Sequence, residues 1–419
     1  MTLARRIGRL LNMDFDYVAH GGAYLAVDHA VNVGTSIITT VVLTNVLPKE
    51  LYGSYAYLIG IFLLVLPLTL PGMSSAMIRS VSRGKEGTYR QGTRLRVLGG
   101  IAGTVSLAGV AAVFVGTDRS EQAFVLVALC VLYPLAFAAD DYKTFFHARR
   151  EFKTYAVVNG LVNVTVAGST VAAALTVPRL LPVLGANIGA RALCNAVAFF
   201  VADRRRVNAD ADGDFARDGR NLSFVAAVNN ISFTIDQVLV GSLFTMEIMA
   251  SYALATRLSE PFRFLGVLIN RLAWPKAVKM RGSDAAGKFT SKFYLLVLGA
   301  AALTLLSFAV IPPVMRWLFP MYTDAVGLSL LMIVSALVSV LVTYLETYFI
   351  SQDHLQRFYY FASTARPTAT IVLMYPFIHW WGFVGAVYAR LVVRAAATLV
   401  LLWRMIAEGR RLRAEERTA

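Results

Sequence analysis

Arg390 and Arg394 lie four residues apart in GAVYARLVVRAAATLVLLW, a run that is otherwise almost wholly apolar. That spacing puts both on one helix face. A guanidinium keeps its charge at any physiological pH and offers a planar fork to phosphate or carboxylate oxygens. Two chemistries therefore fit: holding a phosphate group, or pairing with a buried carboxylate such as Asp236 or Glu346. Arg191, in GANIGARALC, poses the same choice, and Arg366 beside Pro367 is a weaker instance. On a helix at 3.6 residues per turn, Arg257, Glu260 and Arg271 fall within roughly 60° of one another, with Arg263 about 60° further round. Such a stripe suits a wet face. Alternatively, Arg257 and Glu260 pair by their three-residue spacing, and Arg271 snorkels to a surface. Asp28 and Asp236 are carboxylates inside apolar runs. Each could carry a proton or a sodium ion, or make a structural polar contact. Asp140, Asp141 and Glu346 fall near the ends of their runs and read as interfacial.

The elements that must position these groups follow from composition. Of 419 residues, 57% are hydrophobic and 16% charged, against about half and a quarter in soluble proteins. The apolar residues come in runs long enough to cross a ~30 Å hydrocarbon core as helices. Twelve are expected: 21–46, 52–80, 95–116, 121–147, 154–177, 180–202, 221–244, 247–275, 290–312, 325–351, 358–378 and 382–405. Strands of a barrel would be shorter and would alternate polar with apolar. The fold class is an all-α polytopic membrane protein, its backbone polar groups satisfied within each span.

The net charge of +15 raises nucleic acid as a partner, but its distribution points to a membrane. Loops after odd-numbered spans hold only Lys49, Arg119, Arg179 and Arg316, while basic residues crowd the termini and the loops after even-numbered spans. The positive-inside rule then places both termini in the cytoplasm of a plasma or inner membrane. Trp274, Trp317, Trp380, Trp381 and Trp403 fall near predicted span ends, where aromatic belts sit. The start, MTLARRIGRL, is expected to lead into the first span without a cleavable signal peptide. Cys130 and Cys194 read as small core residues.

A repeat organises the spans. ELYGSYAYL at 50–58 is echoed by EIMASYALA at 247–255, and AVN at 30–32 by AVN at 227–229. FFHARREFKTY at 145–155 and GANIGAR at 185–191 find looser echoes in YFISQDHLQRF at 348–358 and GAVYAR at 385–390. The twin peptides open spans two and eight. An even number of spans separates them, so the repeat is parallel, with its pseudo-twofold along the membrane normal. The expected organisation is a six-helix bundle over 1–202, a linker over 203–220, a second bundle over 221–405 and a basic tail over 406–419. The linker, DRRRVNADADGDFARDGR, reads as solvated; its DADGD lacks the spacing and closing Glu of a calcium loop. Pro67, Pro71 and Gly72 in span two and Pro261 in span eight are expected to bend those helices.

TIDQVLVGSLFTMEIMASYALATRL, 234–258, resembles the start of the second half in the polysaccharide-export (Wzx-like) flippases of the MOP superfamily. Asp236, Gly241, Glu247, Ser251, Tyr252 and Ala253 occupy the pattern, with Ala250 where glycine is usual. LPKELYGSYAYL, 47–58, is similar to the matching turn of the first half, and WGFVGAVYARLV, 381–392, to the opening of the last helix. The resemblance implies transport of a polyprenyl-pyrophosphate-linked oligosaccharide across the membrane by alternating access between two bundles. Its partners would be that anionic cargo, membrane lipids, and H⁺ or Na⁺ as coupling ion. No cofactor or metal is implied. The residues of the cargo site would be Arg191, Arg257, Glu260, Arg271, Arg390 and Arg394, with Asp28 and Asp236 for the ion.

Two rivals share parts of this reading. A MATE-like drug or cation antiporter would favour carboxylates over the arginines found here. A membrane enzyme acting on lipid-linked sugars would need catalytic groups in a sizeable outer loop. Every expected outer loop is short, and the sequence has no His-Glu-x-x-His, phosphate-cradling Gly-rich loop or nucleophile elbow.

Overall fold

The computed structural model describes residues 15–117, 119–279 and 283–418, and all regular structure among them is helical. The helices are α1 (Phe15–Val46), α2 (Lys49–Leu64), α3 (Gly72–Ser82), α4 (Gly87–Val115), α5 (Ser120–Cys130), α6 (Tyr142–Ala148), α7 (Phe152–Thr176), α8 (Leu180–Asp203) and α9 (Phe215–Leu243). They continue as α10 (Met246–Lys279), α11 (Ser283–Leu318), α12 (Val326–Ser351), α13 (Gln356–Trp381) and α14 (Gly385–Thr418). Eight helical stretches among the described residues are long and apolar enough to cross a membrane, or ten if each of two bent pairs is one span. Their outer faces are apolar: Leu305 is 72% exposed and Trp317 82%. This is a multi-span membrane protein.

The chain divides into two compact units, one ending at Asn230 and the other beginning at Ile231. The division falls inside α9, beyond the expected linker. In the first unit, two spans are broken. α2 and α3 meet at 41° across a 3-10 turn, Leu66–Thr69, and α5 and α6 at 66° across a π turn, Pro134–Ala138. Pro67 and Pro71 account for the first, since neither can donate to the helix ladder. Leu70 completes it at φ +53°, a conformation that costs a non-glycine residue about 1–2 kcal/mol. The second break was not expected from the sequence, which reads 121–147 as one span.

Broken helices are tolerated at membrane depth only where the freed carbonyls find other donors, and here they do. Thr104 donates to the Cys130 carbonyl at 2.9 Å, Asn195 to that of Ala136 at 2.9 Å, and Arg96 to that of Phe137 at 3.4 Å. α4 lies against both breaks through a glycine face. A Cβ on Gly99 would come within 2.2 Å of the Leu68 carbonyl oxygen, and one on Gly103 within 2.4 Å of the Tyr133 ring.

The linker is exposed along most of its length, as expected, but it is tied down by polar contacts. Ser80 and Lys85 donate to Asp212 at 2.9 and 3.1 Å, and Thr88 accepts from its backbone N–H at 2.9 Å. Glu86 accepts from Arg149 at 3.0 Å and from the Val207 N–H at 2.6 Å. These polar residues are strapped to the loops after α3 and α6. The hydrogen bonds from Lys85 and then Ser80 hold the Asp212 carboxyl below the usual carboxylate range. The strap continues into α9, whose Ser223 meets Gly72 so closely that a Cβ there would lie 2.2 Å from the Ser223 nitrogen.

In the second unit α10 packs along α12, and an aromatic cluster of Phe289, Phe293, Tyr344, Tyr348 and Phe349 joins α11 to α12. The expected bend at Pro261 is not a break: α10 runs continuously through it. A proline removes one hydrogen bond; among the described residues no left-handed residue accompanies Pro261, and the next proline of α10, Pro275, stands well apart from it. The twin peptides do occupy matching places. Each opens its helix, α2 or α10, and each serine meets a polar side chain about seventy residues on. Ser54 pairs with Gln122 at 3.2 Å, and Ser251 with Asp324 at 2.8 Å.

Candidate functional site

In the second unit the intramembrane charges gather on α9, α10, α12, α13 and α14. Arg390 is 4% exposed and donates to Asp236 at 2.7 Å and to the Phe233 carbonyl at 2.8 Å. Asp236, fully buried, also accepts a short hydrogen bond from the Tyr252 hydroxyl. Of the two roles the sequence leaves open for Arg390, the geometry is that of carboxylate pairing. Asp236, an ion-coupling candidate, is the carboxylate that Arg390 meets. One turn along α14, Arg394 donates to the carbonyl and hydroxyl of Ser335 at 2.8 and 2.7 Å. Arg366 pairs with Glu346 at 3.2 Å. Arg263 lies over the Phe233 ring, 4.5 Å from its centroid.

The balance of these groups is cationic. Arg263, Arg366, Arg390 and Arg394 face two carboxylates, Asp236 and Glu346, each already paired. Neither Arg263 nor Arg394 has a carboxylate partner among the described residues. Buried cations without counter-ions are costly in hydrocarbon, and where they occur they mark a pathway or a ligand. Arg257 and Glu260 form the expected pair at 3.2 Å, both more than 40% exposed, so they cancel each other. Arg271 carries a side chain outside those described.

Two polar networks among the spans of the first unit bear on the site. Asp28 on α1, 8% exposed, accepts from Asn159 of α7 at 2.7 Å; the Tyr142 hydroxyl donates to the same Asn159 at 3.0 Å. A buried carboxylate held by an amide, with a phenol behind it, can bind a proton or a small cation. Arg191 on α8 stacks over Phe137, 5.9 Å from the ring centroid. The second network centres on Arg96, which contacts Asp140 and Asp141 across the broken span. Sequence reading treats both aspartates as interfacial and gives Arg96 no role. The missed signal was an arginine in span three matched by two aspartates in span four. Cys130 and Cys194 are free thiols, and no metal-holding cluster occurs among the described residues.

The fold is that of known transporters. An inward-facing multidrug-resistance MATE transporter of the MOP superfamily superposes with a TM-score of 0.61 at 13% identity, covering 94% of this chain and 99% of the other. The lipid II flippase MurJ, in an inward closed conformation, matches with a TM-score of 0.69 at 12% identity, covering 92% and 89%. A eukaryotic MATE transporter matches with 0.64 at 13%, covering 95% and 98%. No curated protein matches the sequence. The model of the polysaccharide biosynthesis protein family matches residues 18–271, more than half of the chain. The solved structures it resembles are transporters. The chain belongs to the polysaccharide biosynthesis protein family, built on the fold of the MOP-superfamily transporters.

Proposed function

We propose that this chain is a flippase that carries a polyprenyl-pyrophosphate-linked oligosaccharide from the cytoplasmic to the outer leaflet by alternating access. The observation that carries this reading is the cationic excess in the second unit. Arg394 and Arg263 supply two positive charges that make no direct ion pair with a carboxylate among the described residues, which suits a diphosphate. Arg390 and Arg366 hold the carboxylates that would otherwise attract them. Arg191, stacked on Phe137, and the Arg257–Glu260 pair complete the cargo-contact candidates.

The architecture proposed for this work is twelve spans in two six-helix bundles related by a parallel repeat, with both termini cytoplasmic. The ten candidate spans become twelve when two are added. The stretch Gln356–Ala414 breaks at Gly382, at φ +64°, and so makes two spans. α10, at 34 residues, is long enough to be the other. The matching Ser54–Gln122 and Ser251–Asp324 contacts support the parallel repeat.

Cell-surface glycan display in a strain lacking this chain tests the cargo. Wild type should restore it, and Arg394→Gln with Arg263→Gln should not, despite normal membrane levels. Normal display by the stable double variant overturns the anion site. The Asp28–Asn159–Tyr142 network favours a second reading, a MATE-like cation antiporter. Under that reading Asp28→Asn abolishes efflux of a cationic dye from cells, and the arginine variants do not.

A further inference from the structure

Arg96 is 5% exposed and stands where α4 crosses both broken spans. Its Nε donates to the Thr69 carbonyl at 3.3 Å, in the first break. Its Nη2 donates to Phe137 at 3.4 Å, in the second. Its Nη1 reaches Asp140 Oδ1 at 3.0 Å and Asp141 Oδ1 at shorter range. The two aspartates are not equivalent. Asp140 is 32% exposed and is also bound by Lys143 at 3.4 Å. Asp141 is wholly buried, and its donors converge on one oxygen, Oδ1, which Ser74 of α3 approaches at 3.1 Å as well. Oδ2 of Asp141 is buried with no hydrogen-bond partner.

An ionised carboxylate has about four acceptor sites, and a bare buried oxygen forfeits its share of solvation. A proton on Oδ2 removes that charge without disturbing a single hydrogen bond on Oδ1, because the carbonyl oxygen of a carboxylic acid still accepts. Arg96 then keeps Asp140 as its counter-ion, and Lys143, half-buried, remains near water. The other groups facing Asp141 are the Ser74 hydroxyl and the Tyr89 phenol of α4, neither of which brings a charge.

We propose that Asp141 is a proton-binding site, taking H⁺ from water on Oδ2 to form a neutral carboxyl group. Protonation weakens the hold of Arg96 on the start of α6, and the same guanidinium is bonded to both breaks. Proton occupancy is therefore felt at the two places in the first unit where spans are broken. The assignment does not depend on the cargo.

Infrared difference spectroscopy of the purified full-length protein, with pH as the only variable, tests it. Acidification should bring up the C=O stretch of a protonated carboxyl. That band should be absent in Asp141→Asn, retained in Asp28→Asn and Glu346→Gln, and moved to lower pH in Asp140→Asn, which removes a neighbouring negative charge. If Asp141→Asn does not fold, Ser74→Ala still decides the matter. It takes one donor from the ionised form, so the band should titrate roughly one pH unit higher. A band that survives Asp141→Asn, that vanishes in Asp140→Asn, or that does not move in Ser74→Ala overturns the proposal.

Discussion

Arg390 and Arg394 share a face of one helix yet stand in different chemistry, and the difference is testable. Arg390→Gln leaves Asp236 buried and unpaired, a loss expected to cost about 3–5 kcal/mol. Its melting temperature in mild detergent should fall sharply, and Arg390→Gln with Asp236→Asn should recover much of it. Arg394→Gln loses two hydrogen bonds to Ser335 but also relieves crowding by Arg390 and Arg263. Its melting temperature should move little while glycan display is lost. An Arg394→Gln protein that melts as low as Arg390→Gln would make Arg394 structural too. The sequence held the inventory for this distinction but not the outcome. Spacing put the two arginines together, whereas the choice of Asp236 over Glu346 depended on which helices became neighbours. Arg96 was illegible for the same reason: its meaning lies in a span that breaks at Pro134, and one proline does not announce a π turn.

Among elements, the linker is exposed as its composition suggests but held in place as its composition does not. Polar, glycine-containing and charged, residues 203–214 have every mark of a solvated tether, yet their carboxylates and carbonyls meet donors from two loops. Long-range pairing of polar side chains leaves no periodic trace in a sequence. Arg204, Arg205 and Arg206 are tryptic sites, and limited proteolysis should cut there slowly in wild type. Asp212→Asn should be nicked several times faster, and equal rates would mean that Asp212 does not hold the strap. The sign of the pH dependence follows from Asp212, whose carboxyl is held below its unfolded value. Its contribution is present above the unfolded pKa of about 4 and lost as pH falls through the lower folded value. Acid, not alkali, should loosen the strap, and Asp212→Asn should lack that acid step. The apolar spans, by contrast, were readable. Runs of twenty apolar residues leave a helix as the one way to satisfy a backbone in lipid.

For the whole molecule, a flippase reading requires a twelve-span topology and a diphosphate cargo. Reporters fused at Gly213 should report the cytoplasm, and those at Thr117 and Tyr322 the outside, as the loop charges require. A cytoplasmic signal from Thr117 or Tyr322 would break both the span count and the parallel repeat. The cargo is tested by reconstitution. The purified chain is placed in liposomes whose two leaflets carry a polyprenyl diphosphate-linked sugar, and a membrane-impermeant enzyme attacks the outer leaflet alone. Without flipping, about half of the lipid stays protected. The account predicts that nearly all of it becomes accessible with wild type, and about half with stable Arg263→Gln, Arg394→Gln protein. Protection of half the lipid by active, correctly folded wild type, alongside proton-driven uptake of a cationic dye in the same liposomes, would contradict it.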